Sequence, residues 1–212
     1  MLSRDGVVAA AISIIDSEGL PACSLPRLAR EFGVRAPSLY HHFADRAEIM
    51  AEVAKAIVRE TVTPRKHKHA DWVEWFVSLA LNFRRSILRH PNAAPVLLEF
   101  VPRDVLSVLY DDAAQYLTEV GVPRERHVLI LDGLENLTLG AGLAQAMKTP
   151  STRSKIFPHT DESTEPNLAD AVRANTWTTS GELFAQTVRS FLHGAAGPTA
   201  PAEAIAERSL AS

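Results

Sequence analysis

Apolar residues return every three to four positions along most of this chain, and nowhere do they alternate with polar ones over a strand's length. That period predicts an all-helical protein. Val7, Val8, Ala11, Ile12, Ile14 and Ile15 mark a first helix over residues 4–18, stopped at Glu18-Gly19. The next stretch, residues 24–46, reads SLPRLAREFGVRAPSLYHHFADR. Ser24 suits an N-cap, and Pro26 falls in the first turn, where no N–H is needed. Leu28, Ala29 and Phe32 give this short helix an inner face, and Gly33 ends it where a left-handed backbone is required. Ala29 is small enough for a second helix to cross closely. That second helix is expected from near Arg35, with Pro37 in its first turn and Leu39 and Phe43 pointing inward. Ser38, Tyr40, His41 and His42 are left facing out. Two short helices at a tight turn make a helix-turn-helix, whose second helix reads base edges in a DNA major groove. A motif used only for packing would explain Leu28, Leu39 and Phe43, but not an exposed Ser-Leu-Tyr-His-His face.

Asp45 followed by Glu48 resembles a capping box and opens a helix expected to run to about Val62. The basic run Arg65-Lys66-His67-Lys68-His69 after Pro64 reads as a connecting loop. Beyond it, Trp72, Trp75, Phe76, Leu79, Ala80, Phe83 and Ile87 lie along one helix ending at His90-Pro91. A short segment follows at Ala93–Phe100, then a helix over 103–120 closed by Gly121 and Pro123. Arg124–Lys148 is the longest and most apolar helix, and its Gly140 and Gly142 imply close approach by another helix. Residues 149–167 are rich in Pro, Ser, Thr and charge and read as a long mobile loop. Helices are expected at Leu168–Trp177 and Gly181–His193, and residues 197–212 as a disordered tail.

At 212 residues, with 46% hydrophobic and 22% charged residues, the composition is that of an ordinary globular protein. The net charge of −3 argues against broad, highly cationic nucleic-acid binding. It leaves room for a local patch of Arg27, Arg30, Arg35 and Arg46 against Glu31 and Asp45, which a dimer would double. Cys23 is the single cysteine, so there is no intrachain disulfide framework, which fits a reducing cytoplasm. Its plain reading is a small buried hydrophobe. No signal-peptide pattern opens the chain, and no uncharged apolar run approaches the ~20 residues that span a bilayer. No nucleophile–base pair, phosphate loop or metal-spaced cluster appears, so an enzyme is not expected, nor a cofactor or a bound metal.

The run LAREFGVRAPSLYHHFADRAEIM resembles the DNA-binding segment of the TetR family of bacterial transcriptional regulators. The resemblance implies a homodimer on double-stranded operator DNA. It implies that Tyr40 and His42 contact phosphates and that Arg35, Ala36, Pro37, Ser38 and His41 lie nearer base edges. Arg27 and Arg46 would flank them on phosphates, with Ser24 beside them. FRRSILRHP, TEVGVP and NLTLGAGLAQA are similar to the C-terminal domain of the tetracycline-repressor branch. Residues 1–63 are then a three-helix DNA-binding domain with its connecting helix at 45–62, and 64–196 a helical domain for ligand binding and dimerisation.

By the same resemblance, Arg124–Lys148 and the last helix pair with their twins in a four-helix bundle. Gly140, Gly142, Leu183, Phe184, Val188 and Phe191 are its expected contacts. The positions of magnesium and polar drug contacts fall on Thr61, Leu79, Leu97, Ala113 and Ala144. Only Thr61 is polar, so a magnesium chelate is not the expected ligand. Phe83 matches an aromatic pocket residue, and Phe76, Phe100, Leu106, Leu109, Val128, Leu131 and Leu139 complete an apolar lining. Asn82, Tyr110, Glu135 and Asn136 are its polar groups. The same aromatics read equally as core. Glu135 needs a partner, whether ligand, internal arginine or water. The expected function is a homodimeric repressor released from a near-palindromic operator by a largely apolar inducer. A carrier or enzyme retaining a helix-turn-helix, and a DNA-binding dimer without an inducer, are the alternatives.

Overall fold

The computed structural model describes residues 2–66, 71–153 and 155–197, and helices are the regular elements among them. His67–His69 of the basic run, Ser154 of the 149–167 loop and the tail from Pro198 lie outside the described residues. The described residues form two compact units: 2–63 with 82–106 and 139–153, and 64–66 and 71–81 with 107–138 and 155–197.

In the first unit, α1 (Arg4–Glu18) begins at Ser3, whose Oγ accepts the Gly6 N–H at 3.1 Å, and ends at Gly19 with φ 88°. Val7, Ala11, Ile14 and Ile15 are buried on it. They face α3 (Arg46–Arg59), which buries Ile49, Met50, Val53, Ala54, Ile57 and Val58. Burial of this size, about 1.5–3 kcal/mol for each large side chain, holds the pair together. α3 stops at Arg59, short of the expected Val62. Thr61, Val62 and Thr63 are β-branched and Pro64 follows, a run that disfavours helix.

The unit also takes in the end of α4 (Trp72–Arg89), the short α5 (Val96–Glu99) and the end of α7 (Arg124–Ala146). His90, just past α4, joins α1 and α3 through Nδ1 to Asp16 at 2.7 Å and Nε2 to Glu60 at 3.0 Å. Arg89 pairs with Glu60 at 3.0 Å, and Asn92 donates to the Asp16 carbonyl at 3.0 Å. These ties explain why the compact unit is not confined to residues 1–63. On α7, Gly142 lies against Ile87, whose Cδ1 would be 2.8 Å from an added Cβ. The close approach expected at the glycine pair is therefore made within the chain at Gly142. A Cβ on Gly140 would meet nothing within 4 Å.

The second unit is built around Trp75, Phe76 and Tyr116, with ring centroids 4.8 Å (Trp75–Phe76) and 5.0 Å (Trp75–Tyr116) apart. Tyr116 lies on α6 (Arg103–Glu119), and the Trp75 indole donates to the Pro64 carbonyl at 2.9 Å. Lys66 pairs with Asp112 at 2.5 Å. α8 spans Pro166–Ala174 rather than 168–177, because the Asn175 side chain bonds Trp177 main chain at 2.7 Å and turns the chain out of the helix. α9 (Ser180–Ala196) opens with a Thr179–Glu182 capping box and runs three residues past His193. Its Phe184, Val188 and Leu192 are buried, and Phe191 covers Gly133 so closely that a Cβ there would run into the ring.

Candidate functional site

The reading head lies in the first unit. α2 (Leu25–Glu31) is capped by Ser24, whose Oγ accepts the Arg27 N–H at 3.3 Å. It closes with Val34 N–H to Ala29 O at 3.0 Å and Gly33 N–H to Arg30 O at 3.1 Å around Gly33 at φ 62°. This is a Schellman turn, and its left-handed residue is the glycine.

The second motif element is a 3₁₀ segment, Ala36–His41, not the expected α-helix. The span is only six residues, a length at which i→i+3 bonds serve: Ser38 N–H to Arg35 O and His42 N–H to Leu39 O, both 2.9 Å. So few bonds do not hold a segment by themselves. Leu39 (0% exposed) and Phe43 (2%) anchor it, and truncating either to Ala would cost about 2–5 kcal/mol. With these two inside, Arg35, Pro37, Tyr40 and His41 are exposed and Ala36, Ser38 and His42 are half-buried. Tyr40 is 54% exposed, a large aromatic with its face to solvent.

The flanking arginines differ. Arg46 is exposed, and its Nε donates to the Cys23 carbonyl at 2.9 Å. Arg27, expected on a phosphate, pairs with Glu18 at 2.6 Å and Glu31 at 2.8 Å. Those hydrogen-bonded carboxylates raise the Arg27 pKa further above its ordinary value, and Arg27 in turn lowers that of Glu18. Arg27 thus fastens α2 to the end of α1, and its charge is answered within the chain. Cys23 is buried, which raises its thiol pKa and keeps it protonated.

Sequence reasoning passed over Arg4. Its Nη1 donates to the His42 carbonyl, its Nη2 to Glu48 at 2.7 Å, and its guanidinium lies 4.3 Å from the Phe43 ring centroid. The partners stand about forty positions away in sequence, and no local pattern announces such a pairing.

The positions expected to line a ligand pocket divide between the units. In the first, Leu97 and Leu106 are buried, while Thr61, Phe83, Phe100 and Leu139 are half-buried. Asn82 donates to the Val62 carbonyl at 2.7 Å. In the second, Phe76 and Leu79 are buried and Leu109 and Leu131 half-buried. Two expected lining residues face solvent instead: Val128 is 76% exposed, and Asn136 bonds Asp132 on the outer side of α7. Glu135 finds its partner in Tyr110, whose hydroxyl donates to it at 2.5 Å from α6.

The positions expected in the bundle differ in their surroundings within the protomer. Phe184 and Val188 are buried within the protomer, Phe191 covers Gly133, and Gly142 is occupied by Ile87. Phe184, Val188 and Gly142 are thus filled within the protomer, while Phe191 is half-buried. Leu183 is half-buried.

A capped helix, a glycine turn and an outward polar-aromatic segment, braced by α1 and α3, define a helix-turn-helix DNA-binding protein. The chain belongs to the TetR family: residues 7–53 match the description "Bacterial regulatory proteins, tetR family", and 63–196 match "Tetracyclin repressor-like, C-terminal domain". It is a transcriptional regulator of that family and not an enzyme. It is 25% identical over 194 residues to the class E tetracycline repressor protein of Escherichia coli, covering 91% of this chain and 90% of that protein. The Streptomyces coelicolor TetR family protein ActR in complex with actinorhodin superposes with a TM-score of 0.76 at 25% identity, over 93% of this chain and 100% of that one. BioQ with its double-stranded DNA operator has the same fold, with a TM-score of 0.62 at 22% identity over 82% of this chain and 100% of that one. Among the described residues, no helix is long and apolar enough to cross a membrane.

Proposed function

We propose that this regulator is a homodimeric repressor that holds a near-palindromic operator and is released from it by a small, largely apolar ligand. The observation that carries the DNA reading is the Ala36–His41 segment, anchored by Leu39 and Phe43 with Tyr40 and His41 turned to solvent. A buried-in, polar-out segment of this length suits a groove. For the dimer, support comes from α7, which leaves Val128 (76% exposed) and Leu129 (48%) in water. Leu129, Asp132, Asn136 and Gly140 follow one another at helical spacing on its exposed side. For the ligand, support comes from the half-buried Leu109 on α6 and Leu131 on α7, with the Tyr110–Glu135 pair as the polar group that orients it. The ActR complex shows that a relative of this fold takes a ligand. A cytoplasmic location accords with a single cysteine, Cys23, which leaves no intrachain disulfide framework.

Fluorescence anisotropy with duplexes from the region upstream of the protein's own gene tests this reading. Saturable, salt-sensitive binding at two protein chains per near-palindromic site is expected. Binding by one chain to a site without symmetry would overturn the dimeric reading.

A further inference from the structure

Arg4 opens α1 and makes three different contacts with one planar group. Nη1 donates to the main-chain carbonyl of His42, just past the last turn of the 3₁₀ segment. Nη2 donates to Glu48 Oε1 at 2.7 Å, with Glu52 at 3.9 Å. The guanidinium lies 4.3 Å from the centroid of Phe43, the segment's buried anchor. Glu48 passes the connection on: its other oxygen accepts the Ala44 N–H at 2.6 Å, and its own N–H is held by Asp45 at 2.8 Å. Residues 42 to 45 are thereby tied at once to the start of α1 and the first turn of α3.

We propose that Arg4 is a positioning residue for DNA reading, fixing the exit of the Ala36–His41 segment and so the angle at which Ser38, Tyr40 and His41 are presented. The proposal rests on the reading of that segment as the DNA-contacting face. The geometry requires arginine in particular. A guanidinium donates in a fork and stacks on a ring in the same pose, whereas an ammonium is a point charge that does one or the other. Because the Arg4 side chain is 44% exposed, a direct phosphate contact is the competing role. Salt separates the two, since each lost phosphate contact lowers the slope of log affinity against log salt by about one.

The test uses the full chain and the duplex that the wild type selects from a randomised library. Affinity is measured at several salt concentrations for that duplex and for its single-base variants. Melting temperatures confirm that each variant is folded at the assay temperature. Arg4→Ala and Arg4→Lys should each bind roughly tenfold more weakly. Both should keep the wild-type salt slope and discriminate less between the selected duplex and its variants. A merely structural role would lower the melting temperature and leave discrimination intact. If Arg4→Ala does not fold, Arg4→Lys and Glu48→Gln carry the same comparison. A slope lowered by about one, with lysine restoring affinity, would make Arg4 a phosphate contact and overturn the proposal. Unchanged affinity and discrimination would also overturn it. A wild type that selects no sequence would bring down the DNA reading and this proposal together, a result distinct from a variant behaving like a competent wild type.

Discussion

Arg27 and Arg46 stand close to the reading segment, and their surroundings assign them different work. Arg46 keeps guanidinium donors for a phosphate, while Arg27 is held between Glu18 and Glu31. Arg46→Ala should therefore weaken all duplexes alike and lower the salt slope by about one, and Arg27→Ala should lower the melting temperature with the slope unchanged. Ser38→Ala and His41→Ala should instead change the ranking among single-base operator variants. Equal losses on every variant would show that these two side chains do not read sequence. What was legible here obeys local rules: the Ser24 cap, the turn at Gly33, and the inward Leu39 and Phe43 all follow from spacing within a few residues. The roles of Arg27 and Arg4 depend on carboxylates and carbonyls brought near by the fold, and spacing does not encode those.

At the scale of elements, His90 is the join between the end of α4 and the ends of α1 and α3. Burial works to lower its pKa, but the carboxylates of Asp16 and Glu60 on its two ring nitrogens outweigh that, and the net shift is upward from 6.5. Arg89 shares Glu60 and is the other charge paired there. A histidine with a raised folded-state pKa contributes stability fully below its unfolded value and loses it as pH rises through the folded value. The melting temperature should thus fall as pH is raised from about 6 through the raised value, more steeply than in His90→Gln. Parallel pH profiles for the two proteins would remove the histidine from this role. The α7 glycines make a second comparison. Gly142→Leu drives a side chain into Ile87 and should destabilise the protomer, whereas Gly140→Leu points into open space and should leave its folding intact. If α7 is the dimer face, Gly140→Leu should still shift native mass toward the monomer. The helical spacing of α7 was visible in the sequence, but which glycine faced inward depended on α4. The early stop of α3 was signalled by the Thr61–Pro64 run, whose effect on helix geometry outweighed the apolar period.

Across the whole molecule, the two compact units take alternating stretches of the chain. α4, α6 and α7 each contribute residues to both units. A ligand that biases any of these helices therefore acts on an element the two units share. Release of DNA then requires only differential affinity. If the ligand prefers a conformation in which the two reading segments of a dimer no longer match half-sites roughly 34–36 Å apart, the operator is lost without any ligand–DNA contact. Linkage makes the effect reciprocal, so the operator must weaken ligand binding by the same factor. The Tyr110–Glu135 pair is where this is open to test, because it puts a hydroxyl and a carboxylate on α6 and α7 remote in sequence from the reading segment. Glu135→Ala and Tyr110→Phe should leave operator affinity within about twofold of wild type and move the midpoint of inducer release by roughly tenfold, the worth of one hydrogen bond to a charged group. The measurement is a titration of operator-bound protein with a panel of hydrophobic ligands, repeated by calorimetry with and without operator to show whether operator lowers ligand affinity. Identical release midpoints in wild type and both variants would move the ligand away from this pair, and a ligand affinity unchanged by operator would mean that the ligand and DNA are not coupled at all.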